Sequence, residues 1–476
     1  MKEADNRASS QGRGLNHRSG GNWKYGWKNS SEGSVGSAVP TKEAGRLLIY
    51  AHYYVPDTAS TGQILKELAE GLLDAFDVTV ICVAPSYLGT VEDRYKTRRF
   101  YREELNGVKL LRVRVPEFDK TKGMSRIRNI LSYFFGAIAA TFKVGRQDCV
   151  LSISQPPILG GLLGVWGKWV KRAKFIYNIQ DFNPEQVRAV GYSGNRALLE
   201  FMMWLDKLSC RQSDLVVTVG RDLVETLEGR FKGRNVPKYA LIHNWIDEKE
   251  IYPLPQDDGK VLAFKHRYGL EDKFVIMYSG NIGLYYDLEG LIRVIGQFEG
   301  AATPDGRKVA FAFVGAGSVL DKLIAYAREQ GMGNVRFIPY QNKTDLIYSL
   351  NAGDVHLCVN ARGIKGVSCP SKFYGLAAAG RPMIGILEEG TEVRCLIEET
   401  GCGRCVSPMA YDEIGETIAW FIERAGSEEV HAMGRQGREY LAENLTKAIS
   451  VGKYRDALMS LQAIDRRGGM ANGESG

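Results

Sequence analysis

Short apolar runs alternate with amphipathic stretches along most of this chain. "RLLIYA" begins at Arg46 and is followed by "TGQILKELAEGLLDAF", in which Ile64, Leu68 and Leu72 fall on one helical face. "DVTVICVA" and "VKLLRVRV" come next, then a helical pattern from about Ser125 to Arg146, the run "CVLSIS", a helix near residues 158–171, and "AKFIYNI". "DLVVTVG" and "YALIHN" close this half, each after a helical stretch. Runs that are apolar at nearly every position suit strands buried on both faces, and the amphipathic helices between them supply the cover. The pattern predicts a parallel sheet wrapped by helices over residues 46–250.

Around "EIYPLPQDDGK" the texture turns to Pro and acidic residues, the mark of a linker. The alternation restarts with "FVIMYS", "VAFAFV", "VRFIP", "DVHLCVN" and "PMIGIL", and fills residues 251–446. A last helix, 447–464, is expected to pack back on the first domain. The fold class is therefore α/β, with two doubly wound Rossmann-like domains. Ligands of such sheets bind outside the carboxyl ends of the strands, so the two domains should face a central cleft. Residues 1–45, rich in Gly, Ser and Asn, and residues 465–476 read as disordered tails. The first of them lacks the apolar segment of a signal peptide or an anchor.

Charge changes the picture locally. The chain carries a net +7, but between Arg94 and Arg146 fourteen Lys and Arg stand against four Asp and Glu, an excess of ten. Within that segment, "SRIRNILSYFFGAIAATFKVGR" places Ile127, Leu131, Phe134, Ile138 and Phe142 at helical spacing, with Arg126, Arg128, Lys143 and Arg146 at its ends. Such a helix suits an anionic membrane surface, and equally an ordinary core. No apolar stretch is long enough to span a membrane. No RNA- or DNA-binding motif accompanies the basic residues, so nucleic acid is not an expected partner. The eight cysteines are scattered as in a reduced cytoplasmic protein. Cys402 and Cys405 have zinc-like spacing but lack a second pair and a nearby His, so no metal site is expected.

Candidate chemistry sits at strand ends. "FVIMYS" runs into "GNIG" (Gly280, Asn281, Ile282, Gly283), and "VAFAFV" runs into "GAGS", with Gly315 and Gly317. Gly-rich turns between strand and helix let backbone N–H groups approach phosphate. Neither turn completes G-x-G-x-x-G, and no P-loop is present, which argues against a dinucleotide enzyme or a P-loop ATPase. In "CPSKFYGLAAAGRPMIGI", Ser371 is placed to cap a helix, and Lys372 lies in its first turn. A cation there is unfavourable unless an anion answers it, and a diphosphate would. In the first half, Thr61 and Gly62 open a helix after the first strand. "YNIQDFNPEQ" sets Asp181 and Glu185 at a carboxyl edge, and "HNWID" ends the half.

The ordered set "ASTGQILKELAEGL", "SQPP", "IQDFNPE", "HNWID", "YSGNIG", "FVGAGS", "VRFIPY", "PSKFYGLAAAGRP" and "IEETGCG" resembles the GT-B glycosyltransferases of family four. The branch building bacterial O-antigen, capsule and exopolysaccharide is the nearest in pattern. The resemblance runs from about Arg46 to about Arg455. It implies a retaining, metal-independent transfer from a nucleoside diphosphate sugar, a UDP-sugar being favoured, with no further cofactor. By the same resemblance Gly280, Asn281, Ile282 and Gly283 lie against the donor diphosphate. Gly315, Gly317, Ile338, Pro339 and Tyr340 flank the base, and Ser371 and Lys372 meet the diphosphate. Gly62 lies near the donor phosphate and Asp181 near the transferred sugar, with Thr61, Gln63, Gln180 and Glu185 around the acceptor or cleft.

The sequence also departs from the family pattern. The E-x7-E glutamates fall at Val367 and Gly375, the donor Arg and Lys pair at Asn281 and about Asp287, and the frequent His before the aspartate is Gln180. Glu392 is the candidate to contact the donor instead. The acceptor implied is a polyprenyl diphosphate-linked saccharide, which would put the protein on the inner face of the cell membrane as a peripheral protein of the cytoplasm. The alternatives are a soluble small-molecule glycosyltransferase, a nucleotide-sugar 2-epimerase of the same fold, and a non-catalytic sugar-nucleotide or lipid binder.

Overall fold

The structure, a computed structural model, describes residues 45–471 apart from 58–59, 88, 120–121 and 190–194. The N-terminal stretch read as a tail, residue 45 excepted, and residues 472–476 lie outside the described residues.

The first half runs β1 (Gly45–Tyr50), α1 (Ser60–Gly71), β2 (Phe76–Val83), β3 (Phe100–Leu105), β4 (Val108–Val113), α2 (Gly123–Thr141), β5 (Cys149–Ile153) and α3 (Leu159–Lys171). It continues with β6 (Lys174–Ile179), α4 (Glu185–Ala189), α5 (Arg196–Gln212), β7 (Leu215–Thr218), α6 (Arg221–Arg230) and β8 (Tyr239–Leu241). The strands form one sheet in the order β3-β4-β2-β1-β5-β6-β7-β8. All neighbours are parallel except β3 and β4, which pair antiparallel from Phe100 opposite Val113 to Leu105 opposite Val108. The apolar pattern misses β3, because "FYREEL" is an edge strand with one half-wet face and reads as a charged loop.

The second half runs α7 (Gly259–Arg267), β9 (Lys273–Ser279), α8 (Leu288–Ile295), β10 (Lys308–Val314), α9 (Leu320–Glu329), β11 (Val335–Ile338), α10 (Leu346–Ala352) and β12 (Val355–Val359). Then come α11 (Lys372–Ala378), β13 (Met383–Ile386), α12 (Glu392–Thr400), β14 (Gly403–Val406), α13 (Tyr411–Glu423), α14 (Glu428–Asn444) and α15 (Lys447–Ala471). Its sheet has the order β11-β10-β9-β12-β13-β14 and is parallel throughout. The residues around Cys405 that carry the C-x-x-C spacing are strand β14, paired with β13.

Two doubly wound α/β domains are thus present. One face of the first sheet packs Leu47, Leu151 and Ile176 against α1 and against Val451, Tyr454 and Leu458 of α15, which crosses over from the second domain. The other face packs Tyr50, Phe175 and Tyr177 against α2, α3, α5 and α6. Strand order reverses between β1 and β5 in the first sheet, and between β9 and β12 in the second. A crevice opens at such a reversal, because the flanking connections leave to opposite faces. The loops after β1, β5, β6, β9 and β12 therefore carry the groups considered next.

Candidate functional site

Lys372 is the centre of the second-domain side of the candidate site. Its side chain lies over two rings, with Nζ 3.7 Å from the centroid of Tyr286 and 4.8 Å from that of Tyr278. The Tyr278 hydroxyl donates to the Asn281 carbonyl at 2.6 Å, which fixes the ring under the turn. Among the described residues Lys372 makes no ion pair. Removal from water pulls its pKa down to about 8. A half-buried ammonium, backed by π-faces and lacking a carboxylate, is a ready site for an anion. Ser371 does precede the helix, but its backbone is already helical and its hydroxyl makes no cap. The seven-residue α11 thus brings Lys372 to the site by packing, with Phe373, Tyr374, Leu376 and Ala377 buried beneath it.

The two glycine turns pack on each other. Gly280 N donates to Val314 O at 2.9 Å, and Ile282 N donates to Ala316 O at 2.9 Å. Gly315 has φ +144°, and a Cβ there would stand 1.9 Å from the Gly280 carbonyl oxygen. A Cβ on Gly280 would meet the Lys372 Cε at 2.5 Å. Glycine is therefore required for contact between the turns and for room beside the lysine, and two of the amides expected to face phosphate are spent inside the turns. The amides of Asn281 and Gly283 make no backbone hydrogen bond among the described residues. On the outer side, Ile338 O accepts from Gly315 N at 2.9 Å, and the Tyr340 ring beyond Pro339 is exposed.

On the first-domain side, Asp181 forms an antiparallel bridge with Ser368, and Phe182 N donates to Val367 O at 2.8 Å. The Asp181 carboxyl is pushed up by desolvation, against hydrogen bonds from Ser368 and Gln155. Thr61 Oγ1 donates to Gln155 Oε1 at 2.9 Å, so Thr61 and Asp181 share one polar chain. Gly62 sits 3.1 Å, measured from a built Cβ, from the Tyr53 carbonyl oxygen. Burial, with the Asp181 carboxylate adding to it, pushes up the hydroxyls of Tyr285 and Tyr286, and Tyr286 is the ring under Lys372.

Four expected site residues are occupied elsewhere. Gln180 is buried, exchanging amide hydrogen bonds with Asn244 at 2.6 and 3.1 Å and reaching Asn178, which in turn bonds Tyr454 of α15. Glu185 accepts from Arg230 Nε at 2.8 Å, and Arg230 also pairs with the buried Asp206. Gln63 donates to Glu67, one turn along its own helix. Glu392, the expected donor contact, is taken up between Arg221 and His243. It is buried and accepts from Arg221 N at 2.6 Å and from Arg221 Nε at 3.0 Å, and it lies 3.0 Å from His243 Nε2. Arg221 also reaches Glu399 at 2.6 Å. Burial raises the Glu392 pKa, but His243 and Arg221 outweigh it and hold the carboxyl down at about 2. The carboxylate joins α12 of the second domain to α6 and the β8 exit of the first. Beside it Asp222 accepts from Gly366 N at 2.9 Å, and its desolvated carboxyl is pushed up to about 6.

Sequence reasoning missed Tyr278, Tyr286 and His52. His52 is the second residue beyond β1, buried against the rings of Tyr53 and Tyr133 at 4.2 and 4.9 Å, with Nε2 unpartnered. Burial, with Arg126 nearby, lowers its pKa to about 3, so it stays neutral. Its position in "AHYYVPD" was the available signal.

The basic helix α2 stands at the rim of the first domain. Met124, Ile127, Leu131 and Phe135 are exposed on it and Phe142 just beyond its end, while Asn129, Tyr133, Ala137 and Ala140 are buried. The exposed stripe differs from the expected one at two places. Phe134 and Ile138 pack inward on the core, and Phe135 takes the outward position. A groove of about 980 Å³ runs beside the helix, with Arg99, Arg114 and Arg128 around Ile127, Leu131 and Phe135. Among the described residues no helix is long and apolar enough to cross a membrane.

A family model described as a glycosyl transferase 4-like domain matches residues 61–245. The probable glycosyltransferase WbjE of Pseudomonas aeruginosa is 27% identical over 350 residues, covering 71% of this chain and 81% of WbjE. The putative colanic acid biosynthesis glycosyl transferase WcaI of Escherichia coli K12 is 26% identical over 382 residues, covering 78% and 90%. Among solved structures, sucrose-phosphate synthase from Thermosynechococcus elongatus superposes with a TM-score of 0.66 at 14% identity, over 87% of this chain and 99% of that one. Anabaena HepE, solved with UDP-glucose, gives 0.60 at 11% identity, over 87% and 99%. At these identities the solved structures speak for the fold, which is GT-B.

Proposed function

We propose that this chain, a family-four glycosyltransferase of GT-B fold, moves a hexose from a nucleoside diphosphate sugar to a polyprenyl diphosphate-linked saccharide with retention at the anomeric carbon. Lys372, an ammonium without an acidic partner beside the Gly280 turn, is the observation that carries the reading. As the bond to the sugar breaks, the leaving diphosphate gains charge. Lys372 is placed to stabilise that charge more in the transition state than in the ground state. Asn281 and Gly283 offer amides on the same side, and the exposed Tyr340 ring offers a face for the base. UDP is the favoured nucleotide, since HepE was solved with UDP-glucose.

The sugar would lie toward Asp181. In a front-face course the leaving phosphate oxygen takes the proton of the acceptor hydroxyl as the new glycosidic bond forms, so no strong protein base is needed. Closure of the two domains over the cleft keeps water from competing with the acceptor. The acceptor would arrive from the cytoplasmic leaflet along the basic rim of α2. There three arginines and an apolar groove match a phosphate and a hydrocarbon chain.

The test is incubation with a panel of sugar nucleotides and membrane extract, followed by product mass and anomeric configuration. Calorimetry with the active donor should show Lys372→Met weakening binding by about 1.5–3 kcal/mol, the range for hydrogen bonds to charged groups. Unchanged affinity in a folded variant would remove the anion site, and loss of activity in EDTA restored by magnesium would remove the metal-independent mechanism.

A further inference from the structure

We infer that the first domain has a second lipid-contacting ridge, on α5, so that it meets the membrane along two lines. This rests on the reading that α2 faces an anionic leaflet. Leu198, Phe201 and Trp204 of α5 are 55, 54 and 54% exposed, at spacings of three residues that keep them on one side of the helix. The rings of Phe201 and Trp204 stack at 5.9 Å with an interplanar angle of 18°. The buried side of the same helix is Leu199, Asp206, Ser209 and Cys210.

Both ridges rise from one layer of helices, each on the side opposite its helix's buried residues. α2, α3 and α5 share one face of the sheet, and α3 lies between the other two, packing on both. α3 is sunk into the sheet. A Cβ on its Gly164 would be 2.1 Å from the Phe175 ring, and one on Gly167 would be 2.7 Å from the Tyr50 ring. Neighbouring helices lie about 8–10 Å apart, so the α2 and α5 ridges stand roughly 20 Å from each other on either side of a recessed helix. Trp169, at the C-terminal end of α3, is also exposed between them.

A leaflet fits this surface better than a soluble partner. The ridges carry aliphatic and aromatic side chains of the kind that settle at a bilayer interface. Their borders are basic, with Arg126 and Arg128 on α2 and Arg211 at the end of α5, all exposed. Glu200, beside the ridge on α5 itself, is paired with Arg196 at 3.0 Å. Two separated ridges also fix the tilt of the domain, which a single helix cannot do. The cleft would then be held at a set height above the headgroups.

The experiment uses the full chain and flotation with vesicles of phosphatidylglycerol and phosphatidylcholine. Phe201→Ser with Trp204→Ser should cut vesicle affinity at least about tenfold, or about 1.4 kcal/mol, with donor affinity unchanged. Ile127→Ser with Leu131→Ser should cut it as well. Trp204→Phe should keep binding but lose part of the fluorescence quenching by brominated lipid. If the α2 variant loses binding and the α5 variant keeps it, the second ridge is wrong and the α2 reading stands. If the wild type ignores the vesicles, both fall. A wild-type dimer that the α5 variant turns into monomer, with vesicle binding intact, would assign the ridge to self-association and overturn the proposal.

Discussion

Lys372 is an ammonium that the protein shields from water without giving it a carboxylate, and its titration should report that. Its folded pKa of about 8 lies below the ordinary 10.5, so between those values the folded protein binds fewer protons than the unfolded one. Raising the pH through that window should therefore stabilise the free protein at this site. Donor binding should behave oppositely, because the anion needs the charged form. Affinity measured by calorimetry should fall as pH rises past about 8, and the fall should be absent in Lys372→Arg, whose guanidinium stays charged. A second residue-scale outcome concerns Gly315. Its φ of +144° and the 1.9 Å approach of a built Cβ to Gly280 O leave no room for a side chain. Gly315→Ala should lose about 2 kcal/mol or more in urea unfolding, from backbone strain plus overpacking. A variant as stable as the wild type would show that the two turns can separate freely.

At the scale of elements, α2 is the informative case. It buries Tyr133, Ala137 and Ala140 against the sheet and leaves Ile127, Leu131 and Phe135 to solvent, so it is apolar on two sides. A helix with one apolar face is accounted for by the core alone; the second face needs another partner. Arg98 and Arg99, on the neighbouring rim, make no ion pair among the described residues. Near an anionic surface each contributes on the order of 1 kcal/mol, and salt screens the attraction. Arg98→Glu with Arg99→Glu should weaken binding to phosphatidylglycerol vesicles and flatten its salt dependence, while donor affinity stays the same. Equal binding to neutral and anionic vesicles by the wild type would count against charge as the attraction.

At the scale of the molecule, one buried carboxylate is among the links between the two domains, beside the α15 crossover and the Asp181–Ser368 bridge. Glu392 takes hydrogen bonds from Arg221, at the start of α6, and meets His243, beyond β8. Removing its charge leaves Arg221 with Glu399 alone on the second domain. Glu392→Gln should cost about 2–4 kcal/mol, between the loss of a charge-assisted hydrogen bond and the breaking of a buried pair. The pH dependence follows from its depressed pKa. The carboxyl contributes stability above its ordinary value of 4.5, and that contribution is lost as pH falls through 4.5 toward about 2. Acid unfolding of Glu392→Gln should therefore be shallower across that range. Superimposable acid transitions for variant and wild type would show that this carboxylate contributes nothing to the join.

The sequence by itself determined the order of the buried strands and their covering helices, because a strand covered on both faces is apolar throughout and its covering helix is apolar on one side. It also placed Gly280 and Gly315 at strand ends and Lys372 in the first turn of a helix, since glycine turns and a lysine opening a small-residue helix are local features. Tertiary structure decided what those groups touch. Nothing in "FVIMYS" or "GLYYDL" says that Tyr278 and Tyr286 meet under Lys372, because that contact joins β9, the turn after it and α11. Glu392, Gln180 and Glu185 read as cleft residues by position, yet each is taken up by a partner far along the chain: Arg221, Asn244 and Arg230. The edge strand β3 and the outward turn of Phe135 were hidden for the same reason. Which face of an element meets water is set by what packs on the other face, and the packing neighbour is distant in sequence.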